Sequence, residues 1–85
     1  MKNKSNEYNV VIYSGEHKIF TSLSFNESFL ETKRKEIEEL LTDLKNNQLS
    51  HMECRDENNN ITFIPCTVLS SSRIILNRIE NEKKE

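Results

Sequence analysis

Four side chains of the sequence are of the types that bind zinc: His17, His51, Cys54 and Cys66. Structural zinc sites usually take pairs of ligands from closely spaced positions, such as Cys-x-x-Cys. The sequence has no such pair, and His51 and Cys54 are three residues apart on a predicted strand, so their side chains point to opposite faces. We therefore predict neither a metal site nor a bound cofactor.

The serines, the cysteines and the glycine do not form a catalytic motif either. Residues 70–72 are three serines typical of a loop, and no Gly-x-Ser-x-Gly motif is present. The single glycine cannot build a loop that binds nucleotide phosphates. In the predicted register Cys66 faces His51, which keeps its sulfur away from Cys54 and argues against a disulfide. The sequence predicts a protein that is not an enzyme and has no small-molecule substrate.

Length and composition indicate one domain over residues 1–85, with disordered tails at 1–7 and 80–85. A chain of this size buries only about 60% of its unfolded surface, so its stability is marginal without a metal, a disulfide or a partner chain. No apolar run approaches the roughly 20 residues that cross a bilayer, and the N-terminus lacks the apolar core of a signal peptide. With only two cysteines, these features favour a cytoplasmic protein that does not enter a membrane.

Residue usage carries information about origin and charge. The chain has no alanine or tryptophan and uses asparagine, lysine, glutamate and isoleucine heavily. This usage is typical of AT-rich genomes, such as that of a low-GC bacterium or its phages, and is compatible with an origin in a phage or another mobile element. The formal net charge is −2, from 12 basic and 14 acidic side chains, so the chain lacks the overall positive charge of most nucleic-acid-binding proteins.

The first hairpin is predicted from two runs rich in β-branched and aromatic residues, 8–13 and 18–23. Gly15 between them suits the first central position of a type II′ turn. The pairs expected across this turn are Ile12–Ile19, Val10–Thr21 and Tyr8–Leu23, while the other face carries Val11, Tyr13 and Phe20.

The helix is predicted from residue 27 to about residue 45, a stretch without glycine or proline. Asn26 is a favourable N-cap, and Asn46 and Asn47 can end the helix because asparagine tolerates a left-handed backbone. Three opposite-charge pairs are spaced to support the helix: Glu31–Lys35, Arg34–Glu38 and Lys35–Glu39. Its apolar stripe consists of Leu30, Ile37, Leu40, Leu41 and Leu44.

A second hairpin is predicted from residues 51–55 and 61–64, followed by one helical turn over 66–69 and a last strand over 73–79. A turn centred on Asn58 and Asn59 would put Cys54 opposite Phe63 and Met52 opposite Pro65, on the core face. The expected order is β-β-α-β-β-β. The fold class is therefore α+β, with a small, mostly antiparallel sheet and one amphipathic helix packed on one face.

One helix can cover one face of this sheet, yet several strands carry apolar residues on both faces. Leftover apolar surface usually marks a contact with a partner, and two-fold dimers are the commonest solution for a small domain. The last strand is also expected at a sheet edge, where it can pair with a second chain. We therefore expect a regulatory protein-interaction module that forms a homodimer or binds another protein. The expected contact residues are Val11, Tyr13, Phe20, Ile75 and Ile79.

A nucleic-acid-binding module is the alternative interpretation. Basic side chains on the helix and the last strand could form a local positive patch. The residues concerned are Lys33, Arg34, Lys35, Arg73 and Arg78. Glu36, Glu38 and Glu39 follow the basic run of the helix and largely cancel its charge, so we regard nucleic acid as the less favoured partner.

Overall fold

The strands form two antiparallel sheets, one of four strands and one of two, with the long helix packed on the larger sheet. The computed structural model describes residues 6–79, and the rest of the predicted tails, 1–5 and 80–85, lies outside the described residues. The elements in chain order are β1 Glu7–Ser14, β2 His17–Thr21, β3 Phe25–Asn26, a 3₁₀ turn Glu27–Phe29, α1 Leu30–Lys45, β4 His51–Arg55, β5 Ile61–Pro65, α2 Cys66–Leu69 and β6 Ser72–Ile79. The predicted α+β class is confirmed. The short strand β3 was not predicted, and Glu7, assigned to a tail, begins β1.

β1 is the central strand of the larger sheet. It pairs with β6 along its whole length, from Glu7↔Ile79 to Ser14↔Ser72, with no shift in register. On its other side, β1 pairs with β2 near its C-terminal end and with β3 near its N-terminal end. β6 therefore lies at one edge of this sheet, as predicted, because β1 is its only neighbour among the described strands.

The first hairpin turns at Gly15, as predicted, but its register differs. Gly15 has φ +65, which a type II′ turn requires at its first central position. Beyond the turn, a bulge leaves Ile19 unpaired and places Ile12 opposite Phe20, so the predicted Ile12–Ile19 pair is wrong. A bulge sets two residues of one strand against one of its neighbour. The residues after it are displaced by one, which turns Phe20 to the same face as Ile12.

Both ends of the helical segment form as predicted. The Asn26 side chain accepts a hydrogen bond from the Ser28 backbone N–H at 2.9 Å, and the first turn is a 3₁₀ turn. At the C-terminal end Asn47 has φ 57, and the Gln48 backbone N–H donates to the carbonyl oxygen of Asp43 at 2.9 Å. The bond at the C-terminal end belongs to a Schellman motif, in which a residue with a left-handed backbone allows the last helical carbonyl groups to be satisfied.

Of the three predicted ion pairs on the helix, one forms. Arg34 lies 3.0 Å from the Glu38 carboxylate and 3.3 Å from that of Glu31. Within the described part of the chain, Lys35 forms no ion pair with Glu31 or Glu39. Lys33 forms a further pair with Glu36 at 3.5 Å, and such exposed pairs contribute only about 0.3–0.5 kcal/mol each.

The second hairpin is displaced by one residue from the predicted register. Met52 lies opposite Ile64 and Cys54 opposite Thr62, not opposite Pro65 and Phe63 as expected. The cause is the loop, in which the Asn59 backbone N–H donates to the Asp56 carbonyl and Asn59 takes φ 65. This geometry is typical of a three-residue loop with a bulge, not of a two-residue turn.

The shift of the second hairpin reverses the predicted faces of the β5 side chains, whereas Met52 and Cys54 of β4 stay on the core face as predicted. Because side chains alternate along a strand, a slip of β5 by one residue against β4 moves each β5 side chain to the other face. Ile64 is buried, whereas Phe63 is 60% exposed. The core face of this hairpin consists of Met52, Cys54 and Ile64.

The core lies between one face of the larger sheet, the second hairpin and the helices. Its buried members are Ile12, Phe20, Ile64 and Leu69. From α1, Leu40 and Leu44 pack against this cluster, but no side chain of α1 is buried. We call the sheet face that carries Ile12 the inner face. Within residues 6–79 only one hydrophobic side chain outside this cluster, Val11, is also buried.

Candidate interaction surface

The face of the larger sheet opposite the core carries alternate residues of β1 and β6, and we call it the outer face. Its positions are Glu7, Asn9, Val11, Tyr13, Arg73, Ile75, Asn77 and Ile79, which follow from the alternation of side chains in the observed register. Val11 is only 6% exposed although it does not belong to the core cluster. Its neighbours across the strands are Ile75 and Thr21. The centre of the outer face is therefore apolar.

Polar pairs stand on either side of this apolar centre. On one side the guanidinium of Arg73 lies 5.2 Å from the ring centroid of Tyr13, a cation–π contact between cross-strand partners. On the other side the Asn77 side-chain amide donates to the Asn9 side-chain oxygen at 3.0 Å. On the outer face, the apolar pair of Val11 and Ile75 therefore lies between two polar pairs, Tyr13 with Arg73 and Asn9 with Asn77.

Four of the five predicted contact residues lie on this face. Val11, Tyr13 and Ile75 are adjacent in register, and Ile79 lies at the far end of β6. Phe20 is 6% exposed and belongs to the core cluster. The bulge in β2 places it on the inner face, so it is removed from the candidate surface.

The free edge of β6 borders the outer face. The Val10 carbonyl accepts from the Ser22 backbone N–H at 2.9 Å, and the Val10 N–H donates to the Ser22 hydroxyl at 2.8 Å, so the peptide groups of Val10 point away from β6. Peptide groups alternate along an antiparallel strand, so those of Val11 point toward β6 and meet those of Ile75. The backbone groups of Ile74 and Leu76 therefore point outward from the sheet edge.

The five predicted nucleic-acid contacts do not form one patch. On α1, Lys33 lies 3.5 Å from Glu36 and 5.7 Å from the ring centroid of Phe25, and Arg34 is shared between Glu31 and Glu38. Arg73 lies on the outer face. Arg78 is five residues further along β6 and therefore lies on the inner face. Lys35 is exposed beside Glu38 and Glu39. The basic side chains are divided among three surfaces, and acidic groups accompany those of the helix.

The residues capable of metal or nucleophilic chemistry are also dispersed. Cys54 and Cys66 are free thiols, and His51 is exposed on the side of β4 opposite Cys54. Burial, with a smaller contribution from the negative charge of Asp56, raises the pKa of the Cys54 thiol and so disfavours the reactive thiolate. Within residues 6–79, no three His, Cys, Asp or Glu side chains are grouped closely enough to hold a metal ion.

An apolar groove of about 480 Å³ separates the inner face from α1 and the second hairpin. Its lining includes Val10, Phe20, Phe25, Ile37, Leu40 and Met52. This groove could not be predicted from the sequence, because the amphipathic pattern of the helix predicts which side faces the sheet but not how closely the helix packs on it. The outward position of Phe63, which lies 5.7 Å from the His51 ring, was likewise hidden by the unrecognised loop type.

Comparisons with protein-family models, with curated proteins and with solved structures yield no significant match. None of the helices in the described part of the chain has both the length and the apolar character needed to span a membrane.

Proposed function

We propose that this protein is a non-enzymatic interaction module that works as a homodimer, with the outer face and the β6 edge as its contact region. The observation that carries the proposal is the very small core. Only five hydrophobic side chains are buried within residues 6–79. Domains of this size are marginally stable alone, and association with a second chain is one of the few ways to bury more apolar surface.

Large apolar side chains that remain in contact with solvent support the same proposal. Among residues 6–79, six of them are more than one-third exposed: Ile19, Leu23, Phe29, Leu41, Ile61 and Phe63. Scattered exposed apolar residues are common on protein surfaces, so these six alone do not identify a contact. The outer face is a better candidate because the half-buried Ile75 lies on the strand with the open sheet edge and next to Val11, which is already buried in the single chain.

The wider role is a regulatory one in the cytoplasm, in a phage or another mobile element. The residue usage typical of AT-rich genomes supports this origin. The two free thiols fit a reducing compartment. Such a module acts by occupying a surface of its partner, so its activity depends on contact residues and not on a reactive group.

The test is the molar mass in solution, measured by light scattering after size exclusion at several protein concentrations. We expect the mass of a dimer for the natural chain. The Ile75→Glu variant should have the mass of a monomer, because a charge in the apolar centre of the outer face opposes its burial. Circular dichroism of this variant should still show a folded protein.

The matched control is Ile61→Glu, which places the same charge on an exposed isoleucine of the second hairpin, away from the outer face. This variant should remain a dimer. A natural chain that stays monomeric at high concentration would exclude the homodimer. Equal masses for the two variants would exclude the outer face as its contact region.

A further inference from the structure

The apolar centre of the edge strand β6, residues 74–76, has none of the features that usually protect a sheet edge, and its two charged side chains, Arg73 and Arg78, lie outside this centre. Proteins block edge strands by keeping them short or by adding a proline, a bulge or an inward-pointing charge. β6 is eight residues long, contains no proline and pairs with β1 without any shift in register. Its central residues, Ile74, Ile75 and Leu76, are all apolar. An edge of this kind is a template for another strand.

We propose that β6 pairs with β6 of a second copy, antiparallel and centred on Ile75, so that the two four-stranded sheets join into one. This inference rests on the proposed function and specifies its contact. Only residues whose backbone groups point outward can exchange hydrogen bonds across such an edge. Ile74 and Leu76 have this orientation, so each Ile74 meets Leu76 of the other copy, and Ile75 meets its own counterpart on the two-fold axis.

The side chains favour this register over the alternatives. Centring on Ile75 places Arg73 opposite Asn77 of the second copy, which avoids a contact between like charges. If the pairing of the two β6 strands were shifted by one residue, residues whose backbone groups point into their own sheet would lie opposite residues whose groups point outward, and the hydrogen bonds could not form. Centring on Leu76 satisfies the backbone, but it places Ile74 opposite an arginine and Ile75 opposite an asparagine. Cross-strand neighbours of matched character are the more stable.

The same register joins rows of side chains across the whole assembly. On the outer face, the apolar row of Val11 and Ile75 continues into the same two residues of the second copy. On the inner face, the apolar row of Ile12 and Ile74 continues into Leu76 and Val10 of the second copy, given the pairing of β1 with β6. The polar row of Tyr13 and Arg73 continues into the asparagine pair. Apolar rows thus meet apolar rows, and polar rows meet polar rows.

Disulfide trapping tests the pairing in a background that carries Cys54→Ala and Cys66→Ala. Opposed residues that do not share hydrogen bonds have Cα atoms about 4.5 Å apart, which a disulfide can bridge. The Ile75→Cys variant should therefore form a covalent dimer on mild oxidation. Asn77→Cys is the matched control, because it lies on the same strand and face but about 14 Å from its own counterpart.

A mixture of two variants tests the register itself. Arg73→Cys and Asn77→Cys should each stay monomeric on a non-reducing gel, and an equimolar mixture should form the mixed disulfide. Two sheets packed face to face would lie about 10 Å apart, too far for the Ile75→Cys disulfide, so trapping also distinguishes edge pairing from face packing.

The outcomes separate this inference from the proposed function. A dimeric mass without the Ile75→Cys disulfide would overturn the edge pairing and leave the homodimer intact, whereas a monomeric natural chain would overturn both.

Hydrogen exchange on the natural chain gives a second measurement that needs no variant. The amides of Ile74 and Leu76 should exchange at least tenfold more slowly at concentrations where the dimer forms. Unchanged exchange in a dimer would refute the pairing.

Discussion

At the scale of single residues, Asp56 determines the register of the second hairpin. Its carboxylate accepts hydrogen bonds from the backbone N–H groups of Asn58 and Asn60, both at 2.9 Å. Its own N–H donates to the Asn60 carbonyl at 2.9 Å. One side chain thus holds the loop whose length decides which face of β5 is buried.

Replacing Asp56 by alanine should lower the free energy of unfolding by about 1–2 kcal/mol, because two backbone N–H groups lose their acceptor. Asp56→Asn keeps an oxygen in the same place and should cost much less. Urea denaturation of both variants at one protein concentration provides the comparison. Equal losses would show that the charge, and not the acceptor, is what matters.

The half-buried Cys54 thiol should make stability fall at high pH. Burial and the Asp56 charge raise its pKa in the folded state, so the unfolded chain loses this proton first as the pH rises. The contribution is therefore fully present below the ordinary thiol pKa of about 8.5 and is lost as the pH rises through the folded value. Denaturation of the natural chain and of Cys54→Ala between pH 7 and 10 should give curves that diverge above about pH 8.5. Parallel curves would contradict the expectation.

At the scale of elements, the local signals in the sequence were reliable and the register was not. Asn26, Gly15 and Asn47 each act within a few residues, and each has the predicted role. The register of the first hairpin depends on a bulge, and that of the second depends on the type of loop. Each of these features shifts the pairing of the two strands by one residue. As a result Phe20, expected on the surface, is buried, while Phe63, expected in the core, is exposed. The sequence around these two phenylalanines does not show which of them is buried.

The helix offers a test of how the sheet is covered. Leu40 packs against the core cluster, whereas its neighbour Leu41 is 49% exposed. Leu40→Ala should lower the free energy of unfolding by about 1–3 kcal/mol, and Leu41→Ala by less than about 0.5 kcal/mol. Chemical denaturation measures both. A larger loss for Leu41→Ala would mean that α1 presents a different side to the sheet.

At the scale of the whole molecule, the surplus of apolar side chains was predictable from the sequence, because both faces of several strands carry them. The patterned outer face was only partly predictable, since it requires the register of β1 with β6, two strands almost 60 residues apart in the sequence. Pairs such as Tyr13 with Arg73 and Asn9 with Asn77 have no local signal, because the chain between the two strands does not determine their alignment.

A homodimer makes thermal stability depend on protein concentration, because dilution favours the unfolded monomer. The midpoint of thermal unfolding should rise by a few degrees for each tenfold increase in concentration of the natural chain. The Ile75→Glu variant should show no such rise. Scanning calorimetry over a hundredfold range checks this, and a midpoint of the natural chain that does not move would contradict dimer formation.

The opposite border of the larger sheet determines how far an assembly can grow. Beyond β2, the Glu57 backbone N–H donates to the Thr21 carbonyl at 2.8 Å, and Ser22 forms a bridge with Asp56. The C-terminal end of β2 is thus contacted by the second hairpin of the same chain, and the bulge makes the rest of β2 a less regular template than β6. Under the proposed pairing, each copy would use its regular edge strand, β6, to contact the other copy. The expected product is then a closed pair of two copies, because the β6 edge of each copy is already occupied.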